Sequence, residues 1–541
     1  MQYLLNKASG RGVAAVVAAA FVFCLGPALE VTAVSDKGRL RAERALREGD
    51  YESAEKIYRE LLAKDPRDTQ ARLGLSSTLL KRRHLQDAYD HAARVVMVDP
   101  LSARAHSLLG SAILAGGDFR NSVEEFRTAL SINENDAPAV AGLAMVDFYE
   151  NRLDLAVRGL RRASSLEPNE PDYIFNLGQA AARSERYREA ADAYERFLVI
   201  APKTDSDRRA RIRGLIDFLR YLGKQAQLYV PGGGTRTTIP FESVDQRPIL
   251  RVQVNGNKRE FRFVLDTGSG MSVISDKTAK VLGLNPVAQG GLARAVGGGG
   301  KFQIVYGFLS SLEIGDVKVS NVPVYIRRFY DDAVPVDGYI GLSIISKFLA
   351  SLDYSDGTFS LVRRTSVDHL DLWQTLYRTA PAQTETVSLV PGSVEVPLRT
   401  TSSGFLSGEV MLEGVDKPQN FIIDTGASIS VISEKLAAHE AVATHIQPTR
   451  LRVYGAAGIA EDVKTLTLPA VMLGTITRRY VNAAILDLEP VNETAGFSQD
   501  GILGANFLKS FRVSFDFHRG VIRLDPISKT ARADEAKPDQ L

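Results

Sequence analysis

Cysteine is almost absent from this sequence: among 541 residues only Cys24 carries a thiol. It ends an apolar run, Val13 to Leu25, that follows Lys7 and Arg11 and leads through Gly26-Pro27 to the small residues of Val31-Thr32-Ala33. Basic residues, an apolar stretch and a small-residue site in that order make a secretory signal over residues 1–33. The run as far as Leu29 is 17 residues, interrupted by Gly-Pro, which is short for a bilayer span. The expectation is a cleaved signal and export, with a bacterial periplasm as destination, and an inner-membrane anchor facing the periplasm as the alternative. Bulky Phe21 and Phe23 ahead of Cys24 argue against lipidation. Removal of the signal leaves no thiol, which excludes disulfides, cysteine nucleophiles and thiolate metal sites together. The seven histidines lack His-x-x-x-His spacing, so no metal site is expected. Basic excess is missing too: a net charge of +2 argues against a nucleic-acid partner. No cofactor is expected, since Gly297 to Gly300 lack the Lys-Ser/Thr that follows a phosphate-cradling loop.

What is present divides into two compositions. In the first, Pro66, Pro100, Pro168 and Pro202 fall on a 34-residue lattice, with Glu134 in the remaining step. Ahead of each, at fixed offset, stand Ala54, Ala88, Ser122, Ala156 and Ala190, then Tyr58, Ala92, Phe126, Leu160 and Tyr194. Leu75, Leu109, Leu143 and Leu177 precede the small residues Ser76, Gly110, Ala144 and Gly178. Small residues where helices cross, larger ones between repeats and proline after each second helix resemble tetratricopeptide repeats. The likeness implies an all-α solenoid over 34–224, closed by a helix from Asp205 to Leu222, with a surface for a protein partner.

After Leu228, Pro231-Gly-Gly-Gly234 reads as a flexible break inside a linker, 225–238. Beyond it, period-two alternation rich in Val, Ile and Thr predicts strands. This region is duplicated. Phe263-Val-Leu-Asp-Thr-Gly-Ser-Gly270 matches Phe421-Ile-Ile-Asp-Thr-Gly-Ala-Ser428, and both continue to Ser-Val-Ile-Ser. Each copy then has a Gly-rich stretch, Ala295 to Gly300 and Tyr454 to Gly458, and an Asp-Gly-x-x-Gly segment, Asp337 to Gly341 and Asp500 to Gly504. A Phe-bearing segment expected to be helical (Ile345 to Leu349, Phe507 to Phe511) and a strand pair close each half.

These landmarks, over roughly Ile239 to Ile527, resemble retropepsin-like aspartic proteases. The resemblance implies an all-β, pepsin/retropepsin-like two-lobed acid protease fold, with lobe 1 at 239–364, a tether at 365–388 holding Trp373 and a short helix, lobe 2 at 389–527, and a disordered tail at 528–541. It implies an aspartic endopeptidase acting on a protein or peptide substrate. Asp266 and Asp424 would be the catalytic pair, supported by Thr267, Gly268, Ser269, Thr425, Gly426 and Ala427. Gly297, Gly298, Gly299, Gly300, Tyr454, Gly455 and Gly458 would form flaps, and Ile340, Gly341, Leu503 and Gly504 would pack beneath the pair. Carboxylates about 3 Å apart share one proton, take a proton from a bound water and give one to the scissile carbonyl. Ser269 against Ala427 breaks the duplication. A serine hydroxyl donating to Asp266 would favour its charged form, which would leave the proton on Asp424. Asp337 and Asp500, each before glycine, read as structural turn residues. The alternatives are a non-catalytic peptide-binding scaffold, or a protease whose lobes pair between chains.

Overall fold

The computed structural model describes residues 36–204, 206–294, 296–297, 301–331, 334–363 and 392–527. The signal, the tether with Trp373, the tail and Gly298, Gly299 and Gly300 lie outside these.

Helices come first. After one at 36–48, the second helices of successive pairs begin at Tyr51, Leu85, Phe119, Leu153 and Tyr187, each 34 residues on; the first helices begin at Thr69, Ala103, Ala137 and Pro171. The lattice residues explain the repeat. Ala54, Ala88, Ser122, Ala156 and Ala190 have no exposed surface, as close helix crossings require. The prolines stand two residues past helix ends at Lys64, Val98, Leu166 and Ile200, where a missing N–H stops the helix. A closing helix spans Ser206–Leu222. These are tetratricopeptide-type helix pairs.

The chain forms two compact units. One holds residues 36–113, 120–139 and 202–204. Its core gathers Ala54, Tyr58, Leu61, Leu75, Leu79 and Ala88. Asp50 and Asp68 cap its helices by accepting from Ser53 N at 3.1 Å and Ala71 N at 2.9 Å.

The other unit joins residues 114–119 and 140–201 to everything from the closing helix onward. Each lobe has one sheet, and the two repeat one plan. In lobe 1, strand Gly338–Ile340 lies between Glu260–Leu265, to which it is parallel, and Val273–Ser275. In lobe 2, Gly501–Leu503 lies likewise between Gln419–Ile423 and Ser430–Ser433. Hairpins Ala288–Arg294/Lys301–Ile314 and Ile446–Gly455/Gly458–Leu473 project from the two sheets. A third, six-stranded sheet is shared by the lobes: Phe348–Asp353 pairs antiparallel with Phe511–Asp516, bringing Ser351 opposite Ser514. The lobes therefore pair within one chain.

Two expectations need correction. Pro231–Gly234 is not a flexible break: Val230–Gly233 is a strand paired with Val317–Ser320, and Arg236–Pro240 is an edge strand of the shared sheet. Edge positions tolerate proline and glycine because one side of the strand owes no ladder bonds. The helical turns after each Gly-x-x-Gly stop earlier than expected, at Leu342–Ile345 and Ala505–Leu508. Phe348 and Phe511 already belong to strands and are buried there.

Repeat helices bind both lobes of this unit. Partly buried Arg183 donates to the carbonyls of Thr401 and Ser402, the latter at 3.2 Å, with its guanidinium 3.9 Å from the Phe148 ring. Burial pushes Arg183 down to about 10. Phe497 of lobe 2 packs edge-on against Phe119 and Tyr149 at 5.0 and 5.1 Å. The closing helix lies along the lobe 1 hairpin. There Arg211 Nη1 donates to Leu292 O at 2.9 Å, and Phe218 stacks on Tyr306 at 4.2 Å. Gly214 permits the approach, since a methyl there would collide with the backbone of Gln289 and Gly290.

Candidate active site

Asp266 and Asp424 each follow the last residue of a buried strand, Leu265 and Ile423. Their N–H groups donate to Ile340 O and Leu503 O, both at 3.0 Å, so the inserted strand fixes each aspartate. Ile340 and Leu503 are buried. Gly341 N and Gly504 N donate to Ser272 and Ser430 Oγ at 3.0 and 3.1 Å, tying the inserted strand to the segment after each turn. Asp337 accepts from Arg262 N at 2.9 Å and Thr278 Oγ1 at 2.7 Å, and Asp500 accepts from Asn420 N at 3.1 Å, at the far ends of these strands.

The two turns meet through their threonines. Thr267 Oγ1 donates to Ile423 O at 2.8 Å and Thr425 Oγ1 to Leu265 O at 2.7 Å. Each hydroxyl also accepts the other threonine's N–H, at 3.0 and 3.2 Å. Both side chains have no exposed surface, so breaking this set strands buried polar groups at about 1–3 kcal/mol each. Glycine follows because the opposing carboxylate occupies the space of a side chain. A methyl on Gly426 would lie 2.8 Å from the Asp266 carboxyl, and one on Gly268 would collide with Asp424.

The two carboxyls face each other across the turns, each against the glycine of the other. Burial, and after it the neighbouring Asp424 carboxyl, holds Asp266 well above the ordinary aspartate range. Burial also raises Asp424, but against it Gly426 N donates at 2.8 Å and Ala427 N at 3.2 Å. Asp266 receives Gly268 N at 2.9 Å. The pair titrates as a unit, and the additional backbone donors on Asp424 favour its charged form. The hydroxyl expected to donate to Asp266 does not do so: Ser269 Oγ turns away and donates to Met271 O at 2.8 Å.

The two hairpins meet at Gly297 and Gly455. Gly297 and Gly455 come so close that a methyl on Gly297 would sit 2.8 Å from Gly455 Cα. Gly455 pairs with Gly458 to close the second hairpin, and Tyr454 is largely exposed on its arm. Arg294 on the first hairpin pairs with Glu493 of lobe 2 at 2.7 Å.

One neighbour was not anticipated from sequence. Arg327 ends strand Val317–Arg327 and donates from Nη1 to Ala456 O, on the opposite hairpin, at 3.2 Å. Its charge acts on Asp266. The available signal was an arginine closing an otherwise apolar Val-Pro-Val-Tyr-Ile run. Among the described residues no group of His, Cys, Asp and Glu is arranged to hold a metal.

Two sheet-built lobes presenting paired Asp-Thr-Gly turns and facing hairpins define an aspartic-protease-type architecture. A model of the aspartyl protease family matches residues 250–344 and 408–507, and tetratricopeptide repeat models match 45–112 and 142–204. The chain thus carries tetratricopeptide repeats fused to a tandem aspartyl protease domain.

The anaphase-promoting complex subunit 3 of Schizosaccharomyces pombe is 30% identical over 137 residues, 25% of this chain and 20% of that protein. The chain thus spans about a fifth of that relative's length. Among solved structures, a tetratricopeptide protein of Thermus thermophilus is 22% identical, covering 34% of this chain and 98% of its own, at a TM-score of 0.30. The aspartic proteinase from Irpex lacteus is 14% identical, covering 55% and 99%, at 0.36.

Proposed function

We propose that this chain is an exported aspartic endopeptidase in which Asp266 and Asp424 activate water, while the repeats hold a protein partner or substrate. The observation that carries the reading is the pair of facing carboxyls, locked by reciprocal threonine bonds between the two turns.

In the reaction, Asp424 takes a proton from water as the water oxygen bonds to the scissile carbon, and Asp266 gives its proton to the carbonyl oxygen. The neutral diol then returns a hydroxyl proton to Asp266 while Asp424 protonates the nitrogen. The C–N bond breaks, and the pair ends with one proton, as it began. Closed hairpins exclude bulk water, which strengthens each charge in the site. Residues 114–119 and helices within 140–222 are engaged with the lobes, so partner capture falls to the repeats at 36–113 and 120–139.

The test is cleavage of a peptide library by the wild type, Asp266→Asn and Asp424→Asn. Loss in both variants is expected. Wild type that cuts nothing supports the scaffold reading, and activity surviving in one variant rules out a shared pair. Export rests on residues 1–33; a reporter fused after residue 60 should be active only outside the cytoplasm, and signal from the cytoplasm would reject it. Separation of membrane from soluble fractions distinguishes a cleaved signal from an anchor. Photo-crosslinkers in 36–113 and 120–136 are expected to capture the partner more than those in 140–222, and the reverse result would move the binding surface.

A further inference from the structure

The two lobes can be compared position by position through their strand registers, and the cleft is not symmetric. Ser275 pairs with Arg327 in lobe 1; its counterpart Ser433 pairs with Leu486 in lobe 2. Arg327 and Leu486 are therefore equivalent positions, and so are Tyr339 and Ile502, each one residue before Ile340 and Leu503 in the inserted strands.

The surroundings follow suit. Leu486 and Ile502 belong to an apolar cluster with Ile422, Val431 and Ala484, against which Val296 of the opposite hairpin packs. Around Arg327 stand the rings of Phe329, Tyr339 and Phe302, at 5.7, 5.9 and 6.0 Å from its guanidinium. The opposite hairpin covers it through Ala456 O.

Arg327 Nε is buried and has no hydrogen-bond partner. Nor does a carboxylate among the described residues lie within ion-pair range of it; Asp331 is paired with Arg247 at 3.0 Å. Burial lowers its pKa, yet a guanidinium stays charged at any working pH. A buried cation with an unused N–H beside a water-excluding cleft is costly unless an anion completes it. A guanidinium edge matches a carboxylate in geometry as well as charge.

Accepting the protease reading above, we infer that Arg327 is a specificity-determining residue: the cleft takes an Asp or Glu side chain of the substrate on the Arg327 side of the scissile bond and an aliphatic side chain on the Leu486 side.

The test uses paired peptides with Asp or Glu, against Asn or Gln, at each of three positions on either side of a cleaved bond. Wild type is expected to favour the acid at least about tenfold in kcat/KM, on one side only. The preference should fade below about pH 4, where the substrate carboxyl takes up a proton. Arg327→Leu, which copies the lobe 2 residue, should bring the acid-to-amide ratio of kcat/KM to about one; Arg327→Lys should keep part of the preference.

Equal cleavage of acid and amide peptides by wild type, or an unchanged preference in Arg327→Leu, overturns the inference. A uniform loss for all peptides in Arg327→Leu also overturns it, since Arg327 would then only fasten the hairpin. Binding of the same peptide pairs to Asp266→Asn, by calorimetry, separates the two readings. Charge-selective binding that disappears on adding Arg327→Leu upholds the inference even if nothing is cleaved. Binding indifferent to charge, or none, overturns it even where the protease reading stands.

Discussion

Lobe 1 and lobe 2 share one plan and the same paired turns, but differ at particular positions beside them. Lobe 1 presents Arg327 and Tyr339 where lobe 2 presents Leu486 and Ile502. Its hairpin lies along the closing helix of the repeats, whereas no comparable helix packs on the lobe 2 hairpin among the described residues. Its aspartate receives fewer backbone donors than Asp424. Duplication supplies the geometry of the pair, and the departures from it give the two carboxyls unequal donors and the two sides of the cleft unequal chemistry.

The severest way to break the comparison is to remove one carboxyl at a time. Asp266→Asn and Asp424→Asn are each expected to lower kcat by about a thousandfold or more, since neither lobe holds both the base and the acid. Retained peptide cleavage by either variant would show that the lobes act separately.

The lobes are also held by the repeats through different means. Removing Arg183 leaves the carbonyl of Ser402 without its side-chain donor, Thr401 O with Gly404 N alone, and the Phe148 face without its cation. Arg183→Ala is expected to cost about 3 kcal/mol in urea unfolding, with proteolysis appearing first in lobe 2. On the lobe 1 side, Gly214→Leu forces the closing helix off Gln289 and Gly290, costing about 1–3 kcal/mol. If the helix governs that hairpin, amide exchange should quicken in Ala288–Arg294 and not in Ile446–Gly455; equal exchange in both would deny the difference.

Titration of the pair gives a smaller effect. Both aspartates have folded pKa values raised, first by burial. A raised carboxyl adds its stability below its unfolded pKa, about 3.9, and that contribution is lost as pH rises through the folded pKa. The wild type should therefore lose stability on going from about pH 4 towards neutral relative to Asp266→Asn, which has no such group at that position. A Tm difference of about 3 °C opening in favour of the variant by pH 7 is expected. Parallel Tm curves would mean that burial does not shift the pair.

Much of this was legible in the residues. The 34-residue lattice set the helix starts, because proline and small side chains act locally on the helix that carries them. The doubled Asp-Thr-Gly and Gly-x-x-Gly segments marked the inserted strands. What escaped depends on pairing across long separations. Arg327 reaches the site only because its strand runs parallel to Val273–Ser275, and Pro231–Gly234 becomes a strand only because Val317–Ser320 offers an edge. The closing helix was visible as a helix, but nothing in its own residues says that its neighbour is the hairpin of lobe 1.

The smallest effect belongs to the residue that looked most telling in the sequence. Ser269 stands where lobe 2 has Ala427, yet its hydroxyl serves Met271 O within its own turn. Loss of that bond leaves a partly buried carbonyl short of a donor, worth about 1 kcal/mol at most. Charge on Asp424 is favoured by Gly426 N and Ala427 N, which Ser269→Ala leaves intact. The acidic limb of the kcat/KM profile is therefore expected to stay within about 0.3 pH units of wild type, a shift equal to roughly 0.4 kcal/mol. A displacement of a full unit would mean that the hydroxyl reaches Asp266 in the working enzyme, and the asymmetry of the two turns would then have to be assigned to the side chains after all.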